Sequence, residues 1–180
     1  MAGPAKASFH LFDIQEVFSN GDGTVQFIEL FTTFGNQQFL TGHTLTFQIN
    51  STTQSSVVLS TLPGDSANKT FLIGTSTLET LYGVRPDFVI PANYLTAGAN
   101  NFINFAEGTD RVNLTLLPTN GNSSLNGETG NSAETSAATS VNALATPKNF
   151  AGQTTTIPES TAAALGLLAL GVMVLLRKRN

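Results

Sequence analysis

Between residue 9 and about residue 117, apolar side chains recur in short runs broken by Gly, Asn, Asp and Pro. The run Val25-Gln26-Phe27-Ile28-Glu29-Leu30-Phe31 has the alternation of a strand that turns one face to a core, and Phe9 to Phe18 is similarly rich in Phe, Leu, Ile and Val. Between them, Ser19-Asn20-Gly21-Asp22-Gly23-Thr24 contains Asn-Gly and Asp-Gly, which supply the positive φ angles of a tight turn. The first two strands are therefore expected to pair antiparallel. Further strands are predicted at 44–49, 57–60, 69–73, 88–90, 101–105 and 112–116, with one short helix at 76–82 stopped by Gly83 and Pro86. Seven or eight short strands with this punctuation predict an all-β sandwich or barrel over residues 9–117.

The pattern changes after Leu117. Residues 118–156 are mostly Asn, Ser, Thr, Gly and Ala, with only Glu128, Glu134 and Lys148 charged. So little apolar area does not offset the entropy of ordering the chain, which predicts a flexible polar linker, with closure of the domain near residue 150 as the alternative. The last 20 residues differ again. Ala162 to Leu176 is an uncharged stretch of Ala, Leu, Gly, Val and Met, about 23 Å long as a helix, and counting from Ile157 brings it to about 30 Å, the thickness of a hydrocarbon core. Arg177, Lys178 and Arg179 come immediately after. A helix that is apolar all round and ends on a basic cluster predicts a membrane span over 161–176, with the cluster kept cytoplasmic and the body on the far side.

Export of that body requires a leader. Ala5-Lys6-Ala7 has the small-x-small spacing that signal peptidase accepts, so residues 1–8 are expected to be the remnant of a signal peptide encoded by a longer reading frame. A short Ala-rich N-terminus is the competing reading.

Composition narrows the function classes. Three of the eight basic residues lie in the terminal cluster, which leaves five against twelve acidic groups in residues 1–176, a balance of −7. Such a body repels phosphates, which argues against nucleic acid as a partner. The chain has no Cys, which excludes disulfides, thiolate metal sites and Cys nucleophiles.

The tail order Ile157-Pro158-Glu159-Ser160-Thr161, apolar span, Arg177-Lys178-Arg179 resembles the PEP-CTERM sorting signal. That family places Pro-Glu-Pro, usually after Val or Ile and before Ser or Thr, ahead of a Leu/Gly/Ala-rich span and a basic end. The resemblance implies recognition by an exosortase, a membrane-embedded sorting enzyme of bacteria that make extracellular polysaccharide. The second Pro is absent here, and an unprocessed C-terminal anchor is the competing reading. The body resembles lamin-tail-like domains, which are immunoglobulin-type sandwiches. The likeness is carried by Ile14-Gln15-Glu16-Val17, Asp22-Gly23 and Phe27-Ile28-Glu29-Leu30, by Leu40-Thr41-Gly42-His43-Thr44-Leu45 with His43 where the family often has Trp, and by Lys69-Thr70-Phe71-Leu72-Ile73-Gly74. Ala145-Thr146-Pro147-Lys148-Asn149 loosely echoes the family's closing Pro-Gly-x-x-Asn. This likeness implies an immunoglobulin-like antiparallel sandwich.

Candidate chemistry is sparse. Asn20, Asp22, Gly23, Val25 and Glu29 fall at calcium-loop positions, but Phe18 stands where the first oxygen ligand belongs and the flanks read as strands, so a hairpin turn explains them. His10 and His43 are the only imidazoles, and neither accompanies a nucleophile elbow. Asp13, Glu16 and Glu29 are carboxylates in strand sequence, for which hydrated strand faces are the ordinary explanation. The chain is therefore expected to be a non-enzymatic, exported structural or interaction protein of the cell envelope or extracellular matrix, without metal or cofactor. Its expected partners are the membrane, an exosortase-type enzyme, and extracellular polysaccharide or other surface proteins. A secreted hydrolase built on the carboxylates and His43, or a membrane-anchored small-ligand-binding module, is the alternative.

Overall fold

The computed structural model describes residues 11–127, 135–136, 140–142 and 144–158. The Ala5-Lys6-Ala7 stub, Glu159, Ser160 and Thr161, the apolar span and Arg177, Lys178 and Arg179 lie outside them. Among the described residues, no helix is long and apolar enough to cross a membrane.

The strands are β1 (Asp13–Ser19), β2 (Gln26–Thr32), β3 (Thr44–Ile49), β4 (Thr52–Val58), β5 (Lys69–Thr75), β6 (Phe88–Ile90), β7 (Asn101–Phe105), β8 (Asp110–Asn113), β9 (Ser124–Asn126), β10 (Thr135–Ser136) and β11 (Ser140–Asn142). One helix, α1 (Thr77–Tyr82), and a 3₁₀ turn at Ala106–Gly108 complete the described elements. The strands form a six-stranded sheet in the order β11-β9-β1-β2-β5-β6 and a five-stranded sheet in the order β10-β8-β7-β3-β4. Side chains from both meet in one core, with Ile14, Ile28, Leu30, Phe71 and Ile73 of the first sheet against Leu45, Phe47, Ile103, Phe105 and Val112 of the second. The all-β, two-layer architecture read from the strand pattern is thus observed. Phe71 sits at the centre of the core, edge-on to Phe12 at 4.8 Å between ring centroids and to Phe88 at 5.9 Å, and tilted against Phe105 of the facing sheet at 6.1 Å. The layers are also joined by a polar contact: the Ile14 N–H donates to the buried Asp110 carboxylate at 2.6 Å.

The expected hairpin forms. Ser19 pairs with Gln26, and Asn20 ties the turn through its side-chain oxygen to the Val25 N–H at 3.0 Å, while Asp22 accepts from the N–H and hydroxyl of Thr24. These side-chain bonds occupy the oxygens that suggested a calcium loop. β3 to β4 is a two-residue hairpin in which Asn50 and Ser51 both have positive φ, as a type I′ turn requires. Strand β4 begins earlier than the apolar pattern indicates, because it is an edge strand whose Thr, Gln and Ser side chains face water. Helix α1 ends at Gly83, which is left-handed at φ 72° and returns its N–H to the Glu79 carbonyl.

Two features correct the sequence reading. The sandwich is not purely antiparallel: β6 pairs parallel with β5, and β10 parallel with β8. The former is a consequence of α1, because a crossover of about a dozen residues carrying a helix returns the chain in the same direction. The linker expected over 118–156 is corrected for its described residues. Leu125, Ala145 and Ile157 are fully buried, β9 pairs with β1, and residues 145–157 fold back over the outer face of the six-stranded sheet. Leu125, Ala145 and Phe150 of this polar segment are buried while Val141 and Leu144 stay exposed, a division that composition alone does not reveal.

Gly127 closes the junction of β9 with β1. Its N–H donates to the Gln15 carbonyl at 2.8 Å, and a Cβ there would lie 1.8 Å from the Ile14 carbonyl oxygen. The substitution Gly127→Ala is therefore expected to force β9 off β1 and to cost about 1–3 kcal/mol in a denaturant titration of the full chain. An unchanged midpoint would refute this account of the junction.

Candidate functional site

The six-stranded sheet is apolar on both faces. Phe27 of β2 and Leu72 of β5 point away from the main core, as does Phe18 of β1, and with Val25, Leu78 and Val84 they form a second, smaller core roofed by α1. Ala145 and Ile157 enter this core from the C-terminal segment, and Tyr82 packs against it. Phe18 and Phe27 stack at 5.4 Å.

Glu16 of β1 and Glu29 of β2 lie on the same outer face and are directly opposite in the strand register. Like charges in that position destabilise a sheet, and both carboxylates are buried, at 4% and 5% exposure. The C-terminal segment answers both. Its N–H groups at alternate residues donate to three carboxylates: Thr146 to Glu16 at 2.9 Å, Lys148 to Glu29 at 2.6 Å, and Phe150 to Asp87 at 2.9 Å. In an extended chain alternate N–H groups point the same way, so a spacing of two aligns all three donors with the sheet. The hydroxyls of Ser124, at 2.5 Å, and Thr146, at 3.1 Å, complete the shell of Glu16, and the Leu72 N–H completes that of Asp87 at 2.8 Å.

The other edge of the segment pairs with its own continuation. The Asn149 N–H donates to the Gln153 carbonyl at 3.0 Å, Lys148 bridges Thr154, and the Ile157 N–H donates to the Ala145 carbonyl at 2.8 Å. The Asn149 amide bonds the Arg85 carbonyl at 2.9 Å and the Gln153 side chain at 2.6 Å. Residues 145–157 are thus a hairpin clamped by three carboxylates and plugged at its end by Ile157.

Of the residues singled out in the tail, Ile157 is fully buried and Pro158, the next residue, is exposed. Glu16 and Glu29 are brought together, but under cover rather than on a hydrated face, which corrects that reading. Asp13 lies elsewhere, close enough to Asp110 to feel its charge. His43 pairs with Glu107 at 2.8 Å beside the 3₁₀ turn and not with Glu16 or Glu29. Among the described residues no group of three His, Asp or Glu side chains could hold a metal ion. The sequence reading missed Thr146, Asn149 and Asp87. The one available pointer was the resemblance of 145–149 to a domain-closing pattern.

A groove of about 570 Å³ runs from the β6 edge to the hairpin, lined among others by Leu62, Pro63, Arg85, Asp87, Phe88 and Asn149. The site and fold together define a two-layer β domain closed by a carboxylate-clamped C-terminal hairpin. The chain matches no protein-family model, and neither the curated proteins nor the solved structures contain a significant match to it.

Burial, and then the charge of Glu16, push the Glu29 carboxyl from 4.5 up to about 8, against the opposing pull of Lys148. Burial and then Asp110 push Asp13 from 3.8 up to about 6, and burial also raises Asp87. These groups hold protons in the folded chain that the unfolded chain releases, so stability is greatest at low pH and falls as pH rises through the interval from about 4.5 to about 8 for Glu29. Each pH unit in a group's window costs at most about 1.4 kcal/mol. Denaturant midpoints are expected to drop between pH 5 and pH 8.5, and Glu29→Gln, which keeps the acceptor and removes the charge, is expected to flatten most of the slope above pH 6. Parallel profiles for the two proteins would show that Glu29 does not carry the effect.

Proposed function

We propose that the protein is a non-enzymatic structural or interaction protein, exported across the inner membrane and held at the cell surface or in the extracellular matrix, with a PEP-CTERM-like tail read by an exosortase-type enzyme. Its body is an immunoglobulin-like, lamin-tail-like sandwich that presents strands and loops to polysaccharide or to other surface proteins. The observation that carries this reading is the position of Ile157: the last core residue among the described residues is the first residue of the sorting motif, and Pro158-Glu159-Ser160-Thr161, the apolar span and Arg177-Lys178-Arg179 come after it in the chain. A chain organised in this way separates a displayed domain from an address. Closure of the sandwich by 145–149 supports the lamin-tail likeness, since that segment carries the echo of the family's final motif. Before processing, the basic end remains cytoplasmic. Expression of the full chain in paired strains, with and without an exosortase, is expected to give a mature C-terminus shortened at or just beyond the motif only where the enzyme is present. Intact tails of equal mass in both strains would overturn the sorting signal and leave a plain anchor.

The groove beside β6 favours a second reading, a membrane-anchored module for a small ligand. Its lining offers the Arg85 cation and the Asp87 carboxyl, amide and hydroxyl groups, and the apolar faces of Pro63 and Phe88, which suits a saccharide whose carboxylate meets Arg85 and whose hydroxyls meet Asp87. Titration with uronate oligosaccharides is then expected to shift the amide resonances of Arg85, Val89 and Gln153. An unperturbed spectrum at millimolar ligand would sink this reading.

A further inference from the structure

Ile157 is locked in the second core, paired through its N–H to the Ala145 carbonyl, and the apolar span begins at residue 161. Four Cα-to-Cα steps separate Ile157 from Thr161, which is at most about 14 Å of fully extended chain. The headgroup layer on one side of a bilayer is itself about 5–8 Å deep. A domain anchored through this tail therefore has no stalk: the point where the chain leaves it stands within the headgroups or a water layer or two above them.

Two exposed leucines belong to the elements around that exit. Leu144 precedes Ala145, across the hairpin from Pro158, and is 38% exposed. Leu81 projects from α1, the helix that roofs the core holding Ile157, and is 62% exposed, while its neighbour Tyr82 packs against that core. Glu79 in the first turn of α1 and Arg85 just beyond its end carry opposite charges, so the contact depends on the tether and the apolar groups rather than on attraction to anionic lipid.

We infer that the face formed by α1 and the base of the clamped hairpin is a membrane-docking surface, on which Leu81 and Leu144 rest in the headgroup region of the bilayer that holds the tail. The inference rests on the proposed anchoring and adds to it the orientation of the domain. It places the β4 edge of the facing sheet, where Val58 is 71% exposed, on the side turned to the surroundings.

The chain contains no Trp, so a single introduced Trp reports one position. Full-length Leu81→Trp, Leu144→Trp and Val58→Trp would each be reconstituted into phosphatidylcholine vesicles with and without brominated acyl chains. Emission from positions 81 and 144 is expected to be blue-shifted and quenched by the brominated lipid roughly twofold or more above position 58, which aqueous iodide quenches instead. Vesicle-bound protein with all three positions equally open to iodide and untouched by bromine would overturn the docking surface and leave the anchor standing. Protein that fails to float with the vesicles would overturn the anchor, and the docking surface with it.

Discussion

Two glutamates opposed across neighbouring strands and shut away from water set the terms for the rest of this fold. Glu16 and Glu29 face each other on β1 and β2 at almost no exposure, an arrangement that costs both charge repulsion and desolvation. Within the sheet only the Ser124 hydroxyl of β9, among the described residues, answers either glutamate. The N–H groups of Thr146 and Lys148 answer both from outside, with Phe150 serving Asp87 in the same way two residues further on. Remove the hairpin and both glutamates lose their backbone N–H donors while Phe18, Phe27 and Leu72 lose part of their roof. The polar clamp and the apolar plug therefore stand or fall together.

That dependence divides the molecule into two regions of unequal strength. The core between the sheets is large and aromatic, centred on Phe71, and draws on strands from both layers. The outer core is small and relies on α1, which is only six residues long, and on a hairpin more than a hundred residues distant in sequence from the two glutamates it caps. Free energies of local opening scale with such differences in buried contact, so the outer layer is the part that opens first. Glu29 ties this opening to pH, because burial and then the charge of Glu16 disfavour its ionised form in the closed outer layer without touching the main core.

How much of this was legible in the sequence depends on the range of the interactions involved. The β1–β2 hairpin, β3, β6, β7 and α1 were readable because alternation, Asn-Gly and Asp-Gly turns and the Gly83 stop are local signals. Strand β4 was shifted because an edge strand of Thr, Gln and Ser has no apolar period to read. Residues 118–157 were misjudged for a different reason: β9 pairs with β1, and Thr146 finds Glu16, across more than a hundred residues, and a backbone N–H that caps a carboxylate leaves no trace in side-chain pattern. Composition correctly registers how few apolar residues the segment has. It does not register that Leu125, Ala145, Phe150 and Ile157 are all buried.

The same correction changes the relation between the fold and the tail. A flexible linker would have let the domain and its address act independently, with the body free to stand away from whatever held the C-terminus. With Ile157 plugged into the outer core, the boundary between them falls at a single peptide bond, between a buried residue and exposed Pro158. On the proposed reading, a cut beyond Pro158 leaves in place every core side chain and every donor to the Glu16, Glu29 and Asp87 clamps seen among the described residues, since these come from residue 157 or earlier. The domain can then be tethered or released without refolding. Processing then changes orientation instead, because the short tether holds the α1 face close enough to the bilayer for Leu81 and Leu144 to rest on it, and its loss returns that face to solvent.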